Sequence, residues 1–314
     1  KSSMKKYAIP IVLFLILCTL GMLAHISFDG EKKIQDGDTV FLEGSNALRV
    51  AYLDVGQGDA TFITFPNNQQ MLIDCAVDGR ILEALGREMP FHDKTIDYLV
   101  ITHPDKDHYG GCIDVLKRFD VDHIVYSGVK KDHVFFHTFE NAMFEEGAQY
   151  HQVVGEHVWH IASTTLHFLY PDHNLEDNHF LPGAKKDTGY NNASIVFSLE
   201  YAGKTFLFTG DAESELEEYL LSKYGQELDV DVLKAGHHGS GGSSVQAFIE
   251  KVTPIHTIFS AGKQNTYGHP SPRIMNRVAR VGSEIWRTDL QSDILVYILS
   301  SEKYYVTSTR TSSF

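Results

Sequence analysis

The stretch "ITHPDKDHYGG", residues 101–111, decides how the rest of the chain is read. It follows the apolar run "IDYLV" and sets His103, Asp105, Asp107 and His108 close together before two glycines. Imidazole nitrogens and carboxylate oxygens mixed at a strand end suit a divalent ion of the zinc or manganese type. While strand geometry persists, side chains 103, 105 and 107 point the same way, and His108 is expected to turn in at the loop. The competing reading is a surface loop that caps a helix.

Similar arrangements recur downstream. "LFTGDAE" places Asp211 after an apolar run, "VLKAGHHGS" does the same with His237 and His238, and "NTYGHPSP" with His269. Scattered core histidines would not fall at strand ends each time. Repetition at strand ends is what an active site on one rim of a sheet pair requires.

Outward from these motifs, "LRVAYLDV", "ATFITF" and "QMLID" read as hairpin-linked strands separated by "GQGD" and "PNNQ". "GRILEALGREM" has helical spacing, "IDYLVIT" is a buried strand, "GGCIDVLKRF" a helix and "VDHIVYSG" a strand. Between 130 and 190 only "TLHFLYP" reads as a strand, and the loop 171–190 suits a lid. Then come the hairpin "ASIVFSLEY"/"KTFLFTGD", the helix "AESELEEYLLSKYG", the strand "LDVDVLKAG" and the helix "SSVQAFIEKV". The strand "PIHTIFSAG", the helix "SPRIMNRVARVG" and three final strands close the chain. Two packed sheets with helices outside are expected.

With 314 residues, 43% of them hydrophobic, the chain can bury a large core. A formal charge of −14 excludes a broadly basic nucleic-acid surface, though not a local basic cleft. Cys18, Cys75 and Cys112 form neither a multi-disulfide framework nor a CxxC knuckle, so the latter two are expected as small buried apolar residues. Lys5 and Lys6 precede "YAIPIVLFLILCTLGMLAHI", an uncharged run long enough to cross a bilayer. We read residues 1–26 as an uncleaved anchor rather than a signal peptide, residues 27–46 as a linker and 47–314 as one domain. Positive charge before the span places that domain outside the cell, on a single-pass membrane protein.

The ordered motifs "YLDVGQGDATFI", "MLIDC", "ITHPDKDHYGG", "NNASIVFSLEY", "FTGDAE", "DVLKAGHHGS" and "NTYGHPSPR" resemble the metallo-β-lactamase superfamily, whose central motif is usually HxHxDH. More closely, they resemble the hydrolase domain of ComEC-type competence proteins, membrane proteins of bacterial DNA uptake. The resemblance implies an α/β fold, the αββα four-layer sandwich, with two divalent metal ions. It implies that Asp107, His108 and His237 hold one ion, His103 and Asp105 the other, with Asp211 bridging and Asp74 orienting ligands. Asp59 in "GQGD" is expected as a turn residue. The chain departs from the family pattern at Asp105, where histidine is usual, and at "YNNASIV", where Asn191 or Asn192 stands for a further histidine.

The expected activity is that of a membrane-anchored hydrolase acting on phosphodiesters, with single-stranded DNA a candidate substrate and a membrane channel a candidate partner. Asp107, His238 and His269 are the candidate catalytic side chains. Asn192, Arg273 and Arg277 are candidates for holding substrate, the arginines sharing one helix face with Arg280. Alternative readings are hydrolysis of another phosphodiester, such as a phosphocholine ester, or of a lactone, and a catalytically weak binding domain in a surface complex.

Overall fold

The computed structural model describes residues 47–310. The expected anchor and linker lie outside these residues; among the described residues no helix is long and apolar enough to cross a membrane.

The chain opens as an antiparallel meander of β1 (Leu48–Tyr52), β2 (Thr61–Thr64) and β3 (Gln70–Ile73). Helix α1 (Arg80–Glu88) then crosses over to β4 (Thr95–Ile101), which pairs parallel to β3. A helical turn at Lys106–Tyr109 and helix α2 (Cys112–Leu116) lead to β5 (Asp120–Tyr126). The stretch the sequence left blank holds helix α3 (Val134–Glu146) and the edge strands β6 (Gln149–Gln152) and β7 (His157–Ile161). Helix α3 buries Phe136 and Phe139 but exposes Val134 and Phe144, which blurs its apolar stripe. β8 (Thr164–Tyr170), β9 (Val196–Tyr201) and β10 (Lys204–Phe208) follow as an antiparallel run. Helix α4 (Ser214–Tyr224), β11 (Val232–Lys234), helix α5 (Gln246–Val252), β12 (His256–Phe259), helix α6 (Pro272–Arg280) and β13 (Glu284–Arg287) form the second half. β14 (Ile294–Ile298) and β15 (Tyr304–Ser308) return to pair beside β1.

Two sheets result, one in the order β15-β14-β1-β2-β3-β4-β5-β6 and one in the order β13-β12-β11-β10-β9-β8-β7. Three apolar layers separate four structural ones. Val50, Ile63, Val100, Phe197 and Phe208 fill the space between the sheets. Leu85, Val115 and Phe139 seal α1–α3 onto the first sheet, and Leu220, Phe248 and Ile274 seal α4–α6 onto the second. Each of these buried side chains contributes roughly 1.5–3 kcal/mol over its exposed state. The architecture is thus the expected αββα sandwich.

The site follows from strand direction. β3, β4 and β5 run parallel in one sheet, and β10 to β13 run parallel in the other. Their carboxyl ends reach the same rim, and loops leaving such ends are where α/β sheets collect ligands. Asp74 leaves β3, His103–His108 leave β4, Asp211 follows β10, and His237 and His238 follow β11. The loop 171–190 carries no regular element, but Leu175 and Leu181 are buried in the core beneath α4–α6, so it is pinned at two points.

Candidate metal centre

β4 ends at Ile101, so the expected strand alternation through 103, 105 and 107 does not extend that far. A helical turn from Lys106 takes over and brings His103, Asp107 and His108 together instead. His103, His108 and Asp211 present ligand atoms within 4.8 Å of one another; so do Asp107, His108 and His238, and Asp59, Asp211 and His238. Within the cluster, His108 Nε2 lies 3.2 Å from Asp211 Oδ2, and His238 Nε2 lies 3.3 Å from Asp107 Oδ2 and 3.5 Å from Asp211 Oδ2.

Each central imidazole is held from behind. Asp74 accepts from Thr102 N and Thr102 Oγ1, both at 2.8 Å, and faces His108 Nδ1 at 2.7 Å. His238 Nδ1 donates to Ser260 O at 3.1 Å and lies 3.3 Å from Asp59 Oδ1; Asp59 Oδ2 is in turn 2.6 Å from Lys234 Nζ. His103 Nδ1 sits between the hydroxyls of Thr102 (3.1 Å) and Ser194 (3.3 Å), and Ser194 Oγ also accepts from Asp211 N. Carboxylates and carbonyls behind a histidine fix its tautomer and raise its basicity toward a metal. Asp59 is therefore a buried ion-pair residue rather than the turn residue expected, and Lys234 is a cation that the sequence reading passed over.

The donor set fits a divalent cation. The Nε2 atoms of His103, His108 and His238 and the Oδ1 of Asp211 are buried, with no hydrogen bond among the described residues. Leaving such atoms without a partner costs about 1–3 kcal/mol each, more for charged groups. Charge points the same way. Burial pushes Asp107 up, but the imidazoles of His238, 3.3 Å away, and His108 outweigh it and hold its carboxyl at about 2. Burial lowers His238, yet Asp211 and Asp59 push it up to about 10, so the carboxylates draw positive charge to this point. Backbone strain gathers here too: Asp74, Ala76, His237 and His238 all have positive φ, a conformation of about 1–3 kcal/mol each that is concentrated at functional sites.

Several expected roles shift. His238, not His237, joins the ligand-type cluster. His237 Nε2 is 3.8 Å from Asp211 Oδ2, while its Nδ1 is turned to Glu213 Oε1 at 3.0 Å and to Asn191. Asp105 stands 3.8 Å from His103 Nε2, and its other oxygen is 2.5 Å from Lys131 Nζ. Asn192 is buried and ties the chain together, donating to Thr188 O and accepting from Glu213 N, which leaves it badly placed to touch substrate. His269 is half-buried, 5.6 Å ring to ring from His237 and 6.4 Å from His238, and burial together with these neighbours lowers its pKa. Arg273 bonds Gly241 O and lines an open groove with Asn276, Ala279 and Arg280, whereas Arg277 turns in to Ser244 O at 3.0 Å. The three arginines thus do not form one solvent-facing row.

Cys75 and Cys112 are joined in a disulfide, which corrects the expectation of two separate buried thiols. The bridge ties the residue after Asp74 to the helix after His108. Cys75 N also donates to His108 O at 2.7 Å. Glycine is required at 111, where a side-chain carbon would run into the Cys75 carbonyl.

Comparison with known proteins agrees with this geometry. Residues 53–262 match the metallo-beta-lactamase superfamily. ComE operon protein 3 of Bacillus subtilis is 30% identical over 271 residues, covering 80% of this chain and 33% of that protein. Competence protein ComA of Neisseria gonorrhoeae is 30% identical over 249 residues, covering 78% of this chain and 31% of its own length. The chain therefore spans about a third of the curated relatives it matches. Among solved structures, CmlA, a diiron beta-hydroxylase from Streptomyces venezuelae, superposes with a TM-score of 0.52 at 13% identity, over 81% of this chain and 54% of that one; it shares the fold. On the family match, the ordered motifs and the clustered donors, the chain belongs to the metallo-beta-lactamase superfamily.

Proposed function

We propose that this chain is a metal-dependent phosphodiesterase of the nuclease type, acting on DNA during uptake. The observation that carries the reading is the convergence of His103, His108, Asp107, Asp211 and His238 in overlapping ligand-type groups, with the Nε2 atoms of the three histidines and Oδ1 of Asp211 buried and Asp107 at the solvent-facing edge. Mixed nitrogen and oxygen donors accept zinc or manganese. Such ions, when bound, act as Lewis acids on a phosphoryl oxygen and ready a water for attack.

The chain's own groups supply the rest. Asp107, His108, Asp211 and His238 would hold the first ion, with His103 and Asp105 reaching toward a second. His269, half-buried beside His237 and His238, is placed to hydrogen-bond a phosphate oxygen. Arg273 and Arg280, on the open groove of α6, supply cationic contacts for a polyanion in an otherwise acidic protein.

The competence proteins among the relatives support DNA as the substrate, with a membrane channel as partner. The Cys75–Cys112 bridge supports a location outside the cytosol, because disulfides persist in oxidising compartments. With the N-terminal apolar run as anchor, the catalytic domain would face the cell exterior.

The test loads the purified chain with zinc or manganese and offers a single-stranded oligonucleotide, bis-p-nitrophenyl phosphate and a lactone panel. Cleavage of the oligonucleotide, abolished in a folded Asp107→Ala variant, is the expected result. Turnover of the small diester or a lactone alone would replace the nuclease reading with that of another hydrolase. DNA binding without any turnover would make the chain a binding domain.

A further inference from the structure

One exposed aromatic ring stands beside the metal centre with a face to spare. Tyr267 is 69% exposed and stacks on His269, ring centroids 5.7 Å apart with 26° between the planes. His269 in turn lies against His237 and His238, so the tyrosine is two rings away from the ligand-type cluster. Tyr190 precedes Asn191, which bonds Glu213, but its ring is already engaged. His179 stacks on it at 4.6 Å, and Lys131 Nζ lies 4.7 Å from its centroid. Phe91 and Phe144 are also exposed, but they belong to the region after α1 and to the last turn of α3.

The loop that presents Tyr267 is held firmly. Asn265 Nδ2 donates to Gly262 O at 2.9 Å and to His269 O at 2.6 Å, and its Oδ1 accepts from His269 N at 3.0 Å. Gly262 N donates to Gln57 Oε1 at 3.2 Å, fastening the loop base to the first sheet's rim. A ring fixed in advance loses little freedom when a partner stacks on it. Lys263, exposed on the same loop, adds a positive charge to a position where a polyanion would pass.

We infer that Tyr267 is a stacking platform for an unpaired nucleobase next to the phosphodiester held at the Asp107–His238 centre. The inference rests on the phosphodiesterase reading above and deepens it, because it makes a base-bearing single strand the preferred substrate. Every base has a π-face, so the contact is sequence-tolerant, and a duplex, whose bases are already stacked, cannot offer it without unpairing.

The experiment compares two single strands of equal length, one bearing thymines and one abasic at every position, with the full chain loaded with manganese. Expected for the wild type is a KM about tenfold lower for the thymine strand, the size of one base–aromatic stack. Tyr267→Ala should raise the thymine KM by about tenfold with kcat little changed, and leave the abasic KM where it was. Tyr267→Trp should restore the preference. Unchanged thymine KM in Tyr267→Ala, or an equal rise for both strands, would overturn the stacking role while leaving the phosphodiesterase reading in place. Failure of the wild type to cleave either strand would overturn both.

Discussion

On the His238 side of the centre, both imidazoles, His108 and His238, are braced from behind. Asp74 backs His108, and the Lys234–Asp59 ion pair backs His238. The disulfide ties the Asp74 loop to the helix that follows His108. On the His103 side, the braces are two hydroxyls, Asp105 is drawn toward Lys131, and Asn192 is spent on backbone. The difference teaches that donor identity alone does not make a metal site. A donor that can swing to another partner gives up affinity that a braced one retains, since bracing settles tautomer and orientation before the ion arrives.

The strongest way to break this comparison is to remove the residue both halves share. Asp211→Ala should strip metal from the protein, as read by elemental analysis after gel filtration. It should also lower any hydrolytic rate on the order of a thousandfold or more. A variant that keeps its metal would show that the two halves do not meet at Asp211.

Next in size is the staple. A bridge across a sequence separation of 37 residues constrains the unfolded chain by about 4 kcal/mol. The double change Cys75→Ser with Cys112→Ser should lower stability in urea by that order, and metal retention should fall with it. Stability unchanged by reduction would mean that the bridge does not matter to this rim.

Glu217 sharpens the comparison through the loop that follows His238. It is fully buried and accepts from Ser244 N at 2.6 Å and Val245 N at 2.7 Å. Burial raises its carboxyl from about 4.5 to about 7, against the pull of these amides and Arg277. A raised folded pKa means the native state holds the proton more tightly than the unfolded one. The resulting stabilisation is complete below about 4.5 and fades as pH climbs through about 7, a change of roughly 3 kcal/mol. Urea melts between pH 5 and 8 should show the wild type losing stability relative to Glu217→Gln. A constant difference would place the carboxyl's titration elsewhere.

The smallest effect is also the most direct comparison of the two halves. Asp59→Asn, which loosens the brace behind His238, should weaken metal binding about 10- to 100-fold in chelator competition. Asp105→Asn should cost less. If the two cost the same, the asymmetry argued from bracing is wrong.

Much of the centre could be read along the chain because its motifs are local. His103, Asp107 and His108 come from one loop, and Asp211 was recognisable as a carboxylate at the end of a buried strand. The choice between His237 and His238 was not legible. Neighbouring residues point apart, and the left-handed backbone at both positions decides which one faces the cluster. Lys131 and Lys234 come from other segments of the chain and bear no metal-ligand signature, so no spacing argument could find them. Asp59 looked like a turn residue because its ion pair is with a strand 175 positions later, at Lys234.

The sequence by itself determined the apolar strand runs, the polar groups at their carboxyl ends and hence a two-sheet sandwich with its chemistry on one rim, because burial and periodicity act between near neighbours. Only the tertiary structure decided which donors meet, which are braced and which are diverted, and that Cys75 reaches Cys112. Those outcomes depend on how two sheets and their loops pack against each other in space, and that packing leaves no periodic trace in the order of residues.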